Sequence, residues 1–349
     1  KPIYKDTYHY RGLTRARIGD MSGSIDDLSE AIKRDITNPQ LYVDRALSNL
    51  YCKRLQQSID DCNKAIQLKE ASEGVYLCMA LAENGLNNYE NAIKCFNKAI
   101  AINQFNAESY VRRALVKSNA KKYDEAAEDY NKALKLDSAS AFCYYNMALT
   151  AADQKDFNTA IRYYSKVVKL DPFNAVAYYN MALAKAQNNK NKDALEDLKR
   201  ASLINPDNIL IYNTKAQIEH TIKQYKAALE DYSRVIQLFP YHVEAYYNRS
   251  IVKETLGDHQ GAMQDYNSSK TLSELNRYKS PSQRIRDSSL LIRLSKFNGS
   301  FDDNETSFGR IQNRKLSIVF KSVFFVALED TTNAKKYFAN ELSSFNAKH

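Results

Sequence analysis

Tyrosine stands at Tyr8, Tyr42, Tyr76, Tyr110, Tyr144, Tyr178, Tyr212 and Tyr246, an unbroken step of thirty-four residues. The hexapeptide YYNMAL, at 144–149 and again at 178–183, is one instance of that register. Small residues keep the same step. Four positions after each tyrosine come Gly12, Ala46, Ala80, Ala114, Ala148, Ala182, Ala216 and Ser250. Two further small columns begin at Ser24 and Ala31. A chain with eight matches in several columns is built by stacking one unit, because a unit of this size cannot bury its apolar face alone.

Each unit reads as two helices. Tyr144, Met147, Ala148 and Ala151 follow the i, i+3, i+4, i+7 spacing of an amphipathic helix. Lys155-Asp156 interrupts it, where other units carry the turn pairs Gly19-Asp20 and Gly257-Asp258. A second helical pattern runs through Phe157, Ala160, Ile161, Tyr164 and Val167 and closes at Pro172. Small residues fit where two helices cross closely, and the tyrosine column and a second aromatic column (Phe96, Tyr130, Tyr164, Tyr232, Tyr266) fill the flanks. Packing is therefore the expected role of the column tyrosines.

This pattern resembles the tetratricopeptide repeat family over residues 5–276. Eight consecutive units are expected at 5–38, 39–72, 73–106, 107–140, 141–174, 175–208, 209–242 and 243–276. The family's terminal proline is present only at Pro172, Pro206 and Pro240, and its turn-side aromatic is replaced by Asn191 and His259. The resemblance implies a bacterial-type chain folded as a right-handed all-α superhelix, an α-solenoid. It also implies a non-catalytic interaction scaffold whose first helices line a concave groove.

Two residues after each column tyrosine the side chain is expected to face that groove. This column reads Tyr10, Asp44, Cys78, Arg112, Asn146, Asn180, Thr214 and Asn248. An asparagine can donate to a backbone carbonyl and accept from a backbone N–H at once, so this row suits an extended peptide held by its main chain. The residue just after the column tyrosine includes Tyr145, Tyr179 and Tyr247. These are expected beside the amides as contact area for a partner. The expected partner-binding set is thus Asn146, Asn180, Asn248, Thr214, Arg112, Tyr145, Tyr179 and Tyr247. A clamp for a C-terminal carboxylate is excluded: it needs a lysine just after the column tyrosine, and no unit has one.

After the eighth unit the period changes. Leu290, Ile292 and Leu294 alternate, as do Leu316, Ile318 and Phe320, which is the strand period. Residues 277–349 are expected to form a small basic module containing β-strands and ending in a short helix. Thirteen Lys/Arg against seven Asp/Glu give this tail +6 of the chain's +9. Arg284, Arg286, Arg293, Arg310, Arg314 and Lys315 form its candidate docking surface. They lack the interleaved aromatics of a single-strand binder, and the repeats' charges are mixed along solvated faces, so nucleic acid is disfavoured as a partner.

No phosphate-loop, dinucleotide, nucleophile-elbow or zinc-protease motif is present, so no catalytic residue, cofactor or metal is expected. The five cysteines have no C-x-x-C spacing and read as apolar filler. No apolar run is long enough to span a membrane. The chain opens KPIYKDTYHYRG, without a signal-peptide core, and reads as starting downstream of a removed or omitted segment. Exported and cytoplasmic locations both stay open, as does the oligomeric state. The leading expectation is a scaffold that binds an extended protein segment. The alternatives are an assembly component docking through the basic tail, and the regulatory region of a longer enzyme.

Overall fold

The computed structural model describes residues 6–278, with side chains through Asn276. Sixteen α-helices and no strand lie among the described residues. They divide into two compact units, one ending at Gln154 and one starting at Lys155. The first unit holds α1 (Thr7–Arg17), α2 (Met21–Arg34), α3 (Pro39–Tyr51), α4 (Leu55–Gln67), α5 (Glu73–Gly85), α6 (Tyr89–Ile102), α7 (Ala107–Asn119), α8 (Tyr123–Leu136) and α9 (Ala141–Asp153). The second holds α10 (Phe157–Leu170), α11 (Ala175–Gln187), α12 (Asn191–Ile204), α13 (Ile209–Thr221), α14 (Tyr225–Leu238), α15 (Val243–Thr255) and α16 (His259–Tyr278). Within each unit every helix packs on the next, so the architecture is a tandem array of helical pairs.

The turn inside each pair is set by one residue with left-handed backbone. Gly19, Lys53, Asn87, Lys121, Lys155, Asn189, Lys223 and Gly257 all have positive φ, at the thirty-four-residue step. The next N–H reaches back five residues to close the helix, as in Arg54 to Asn49 and Gln224 to Glu219, both at 2.8–2.9 Å. That closure satisfies carbonyls the helix end would otherwise orphan. The following pair opens on a capping side chain. Asn38, Asn106, Ser140, Asn174, Asn208 and His242 each accept from a first-turn N–H.

The small columns lie at the helix crossings. Ala46, Ala80, Ala114, Ala148, Ala182 and Ala216 are wholly buried, as are Ala92, Ala126, Ala160, Ala194 and Ala228 from the second small column. At Gly12 an added Cβ would come within 3.0 Å of Leu28 Cγ, so the chain is at its minimum size there. Phe96, Tyr130, Tyr164 and Tyr232 fill the space beside these crossings and are almost entirely buried.

A charged fastener repeats through the array. Arg45 is directed at Asp61 through Nε (3.0 Å) and Nη2 (2.6 Å), and its Nη1 donates to Ser29 of the preceding pair at 3.0 Å. Arg249 does the same with Asp265 (2.7 Å twice) and Ser233 (3.0 Å). Arg113 joins Asp129 and Asn97 in the same way. Each guanidinium also lies over the column tyrosine three residues earlier, Arg45 at 5.8 Å from Tyr42 and Arg249 at 5.6 Å from Tyr246. One planar cation thus ties two pairs together and covers an aromatic face.

The expected fold class needs one correction. An α-solenoid with a strand-containing C-terminal module was expected, but the described residues form helices alone, with no strand among them. α16 continues to Tyr278, past the break expected at 277. The two-residue alternation behind the strand reading extends over only three apolar positions at a time. The rest of that expected module, 279–349, lies outside the described residues.

Candidate functional site

The expected partner-binding residues all lie on the first helices of the pairs. Arg112 is on α7 and Tyr145 and Asn146 on α9, in the first unit. Tyr179 and Asn180 are on α11, Thr214 on α13, and Tyr247 and Asn248 on α15, in the second.

In the first unit Arg112 is buried and bonds Glu108, one turn earlier, with Nε donating to Oε1 at 2.7 Å. Its guanidinium lies 5.8 Å from the Phe142 ring centre. Asn146 is fully buried, and its Nδ2 donates to the Phe142 carbonyl at 2.8 Å. A carbonyl accepts only from a donor, so this bond fixes which way the amide points. Asn146 Oδ1 is left buried without a hydrogen-bond partner.

In the second unit the Tyr179 hydroxyl lies 3.1 Å from Thr214 Oγ1, joining α11 to α13. Burial pushes the Tyr179 phenol up to about 12, so it stays neutral. The same thirty-five-residue step joins His9 Nε2 to Asp44 Oδ2 at 2.6 Å. The two expected columns therefore bond to each other between neighbouring first helices. Asn180, Tyr247 and Asn248 are half-buried. The six basic residues of the expected docking surface, Arg284 to Lys315, lie outside the described residues.

Two of the three YY pairs are placed the other way round from the expectation. Tyr145 and Tyr179 are buried, whereas Tyr144 and Tyr178 keep part of their surface, and in the third pair Tyr246 and Tyr247 are both half-buried. The column tyrosine stands at the edge of its pair, where its hydroxyl reaches the preceding loop. Tyr42 donates to the Ile36 carbonyl at 3.2 Å and Tyr144 to that of Ser138 at 3.3 Å.

Sequence reading missed a polar group on α13–α15. Gln217 Nε2 donates to Glu244 at 3.3 Å, and Asn248 is within hydrogen-bonding reach of both Glu244 and the Tyr232 hydroxyl. The signal was a glutamate two residues before a column tyrosine, where the two preceding pairs hold Leu210 and Val176. Behind it, Lys215 Nζ lies 2.8 Å from Asp231 Oδ2 and 3.7 Å from Glu219 Oε1. Burial, and then the charge of Asp231, push the Glu219 carboxyl up to about 8. Glu219 Oε2 is buried without a hydrogen-bond partner, which fits a carboxyl that keeps its proton beside the charged Asp231.

Among the described residues no three His, Cys, Asp or Glu side chains come together to hold a metal ion. No described helix is long and apolar enough to cross a membrane.

The tetratricopeptide repeat family matches residues 75–106, 107–140, 151–218 and 209–242. No curated protein matches the sequence. The fold is similar to the crystal structure of a tetratricopeptide repeat protein from Parabacteroides merdae ATCC 43184, at 16% identity and TM-score 0.55. That match covers 74% of this chain and 98% of the other. It is also similar to the yeast Tom70 structure, at 18% identity and TM-score 0.54, over 78% of this chain and 58% of that one. At such identities these likenesses bear on the fold alone. With the thirty-four-residue register, the paired helices and these matches, residues 75–140 and 151–242 are tetratricopeptide repeats.

Proposed function

We propose that the first-helix face of this array holds an extended protein segment by its main chain. Tetratricopeptide arrays are protein-interaction scaffolds, and this chain carries that framework. The finer reading rests on the asparagine register, in which Asn180 and Asn248 keep part of their surface, with Tyr247 beside the last. Asn146, at the same register, is fully buried, with its Nδ2 tied to its own helix, and anchors the row from within. Arg112 and Thr214 complete the register, while Tyr145 and Tyr179 support it from within. The reading includes no chemical step, and the partner contributes backbone rather than a reactive group.

The test is capture of partners from the source cell by the wild-type chain beside an Asn146→Ala/Asn180→Ala/Asn248→Ala variant of equal helicity. A partner recovered by the wild type alone, and cross-linked to Tyr247, is the expected result. A partner recovered equally by both would sink the amide register as the binding element.

A further inference from the structure

Glu108 on α7 and Glu244 on α15 occupy the same place in the repeat, two residues before a column tyrosine. Their surroundings differ in one respect. One turn after Glu108 comes Arg112, whose guanidinium bonds the carboxylate. One turn after Glu244 comes Asn248, a neutral amide. Glu244 is held only by amides, Gln217 and Asn248, and makes no ion pair among the described residues. The nearby carboxyls Glu219 and Asp231 face the ammonium of Lys215, whereas Glu244 has no cation against it among the described residues. Tyr232, whose phenol is pushed up first by burial, senses the charges of both Glu244 and Glu219. A part-buried carboxylate framed by neutral donors is stabilised by a cation brought to it.

We propose that Glu244, framed by Gln217 and Asn248, receives an arginine or lysine side chain of the bound segment. The inference rests on the first-helix face being the binding face, and it names what that face selects. The first unit supplies its own guanidinium at this register, and the second leaves the place for the partner's. Asn248 then has two tasks: one amide group bonds the segment's main chain and steadies the carboxylate beside it. An acidic segment is rejected here, because its carboxylate would meet Glu244, which has no cation against it among the described residues.

The test uses the full chain and two pools of fluorescein-labelled decapeptides, random in uncharged residues. The central residue is fixed as arginine in one pool and as citrulline, its neutral analogue, in the other. Affinity is read by anisotropy at low and moderate salt, with the wild type and with Glu244→Gln and Asn248→Arg. The wild type should bind the arginine pool about tenfold more tightly than the citrulline pool, as a charge-assisted hydrogen bond to a carboxylate implies. Glu244→Gln should bind the two pools alike. Asn248→Arg, which copies the α7 arrangement, should also lose the preference. Equal binding of both pools by the wild type, or a preference that survives Glu244→Gln, overturns the assignment while leaving main-chain binding standing. No binding of either pool by the wild type overturns both.

Discussion

The pairs α13/α14 and α15/α16 place the same three register positions against one another and fill them differently. In α15/α16, Arg249 and Lys253 converge on Asp265, with Lys253 Nζ 2.9 Å from Asp265 Oδ2, so one buried carboxylate has two cations. The hydrogen bonds and charges of those cations hold Asp265 below its usual range against its burial. In α13/α14 the corresponding residues are Lys215, Glu219 and Asp231, so two carboxyls share one cation and Glu219 retains its proton. The helices and their crossings are alike in both pairs. The fold therefore sets where a charged group sits, while the sequence at three positions decides whether that place stabilises the pair or titrates.

The comparison breaks most visibly at Asp265. Asp265→Asn leaves Arg249 and Lys253 facing each other without a carboxylate. It should cost about 3 kcal/mol, near the low end for a broken buried pair because both cations are partly exposed. Hydrogen exchange of α15 and α16 would show the loss, and protection unchanged within about 1 kcal/mol would contradict it.

The opposite change should convert the weaker pair into the stronger. Glu219→Lys gives Asp231 a second cation, as Lys253 does for Asp265, and should stabilise α13/α14 by about 1–2 kcal/mol at pH 8. The sign of the pH dependence follows from the raised Glu219 pKa. Between the ordinary glutamate range and about 8 the folded chain holds a proton that the unfolded chain has released. Stability from this group is therefore highest at the acid end and falls as pH rises through that window, with a slope of at most about 1.4 kcal/mol per pH unit. Denaturant midpoints measured from pH 5 to 8.5 should decline for the wild type and flatten for Glu219→Gln. Parallel curves would mean that Glu219 does not hold that proton.

Two further changes sharpen the picture. His242 caps α15 by accepting from the Ala245 N–H at Nδ1, 3.1 Å, and burial holds its pKa down at about 4. Here the unfolded chain takes up a proton first, so stability rises with pH between about 4 and the ordinary histidine value. His242→Asn restores the cap used by Asn174 and Asn208, and should gain about 2 kcal/mol at pH 5 and almost nothing at pH 7.5. A gain independent of pH would show that the proton plays no part. Tyr179→Phe removes the hydroxyl bonded to Thr214 and should cost about 1 kcal/mol in urea unfolding, with binding of an extended partner weakened only through α11 and α13.

Much of the framework was legible because it repeats. The small columns beginning at Gly12, Ser24 and Ala31 lie at the crossings where the register put them, and the turn pairs Gly19-Asp20, Lys155-Asp156 and Gly257-Asp258 are turns with left-handed backbone at their first residue. The choice between the two tyrosines of each YY pair was not legible, since both belong to the same helix and differ by one position in angle around it. Nor was the role of Arg45, Arg113 and Arg249, whose partners lie sixteen residues away in both directions. The candidate binding face was readable as a row of residue types. Its bonding was not, because Tyr179 meets Thr214 only after two separate helices have packed.

The sequence by itself determined the helical pairs, their length and the places where backbones approach, because those depend on local periodicity and on side-chain size at fixed spacing. Only the tertiary structure decided which polar groups are satisfied by the chain and which are left open. Arg112 neutralises Glu108, while Glu244 has amides alone, and Glu219 keeps a proton that Lys253 makes unnecessary in the next pair. The physical reason is that charge and hydrogen bonding depend on what packing brings within about 3 Å, across helices that the sequence keeps far apart.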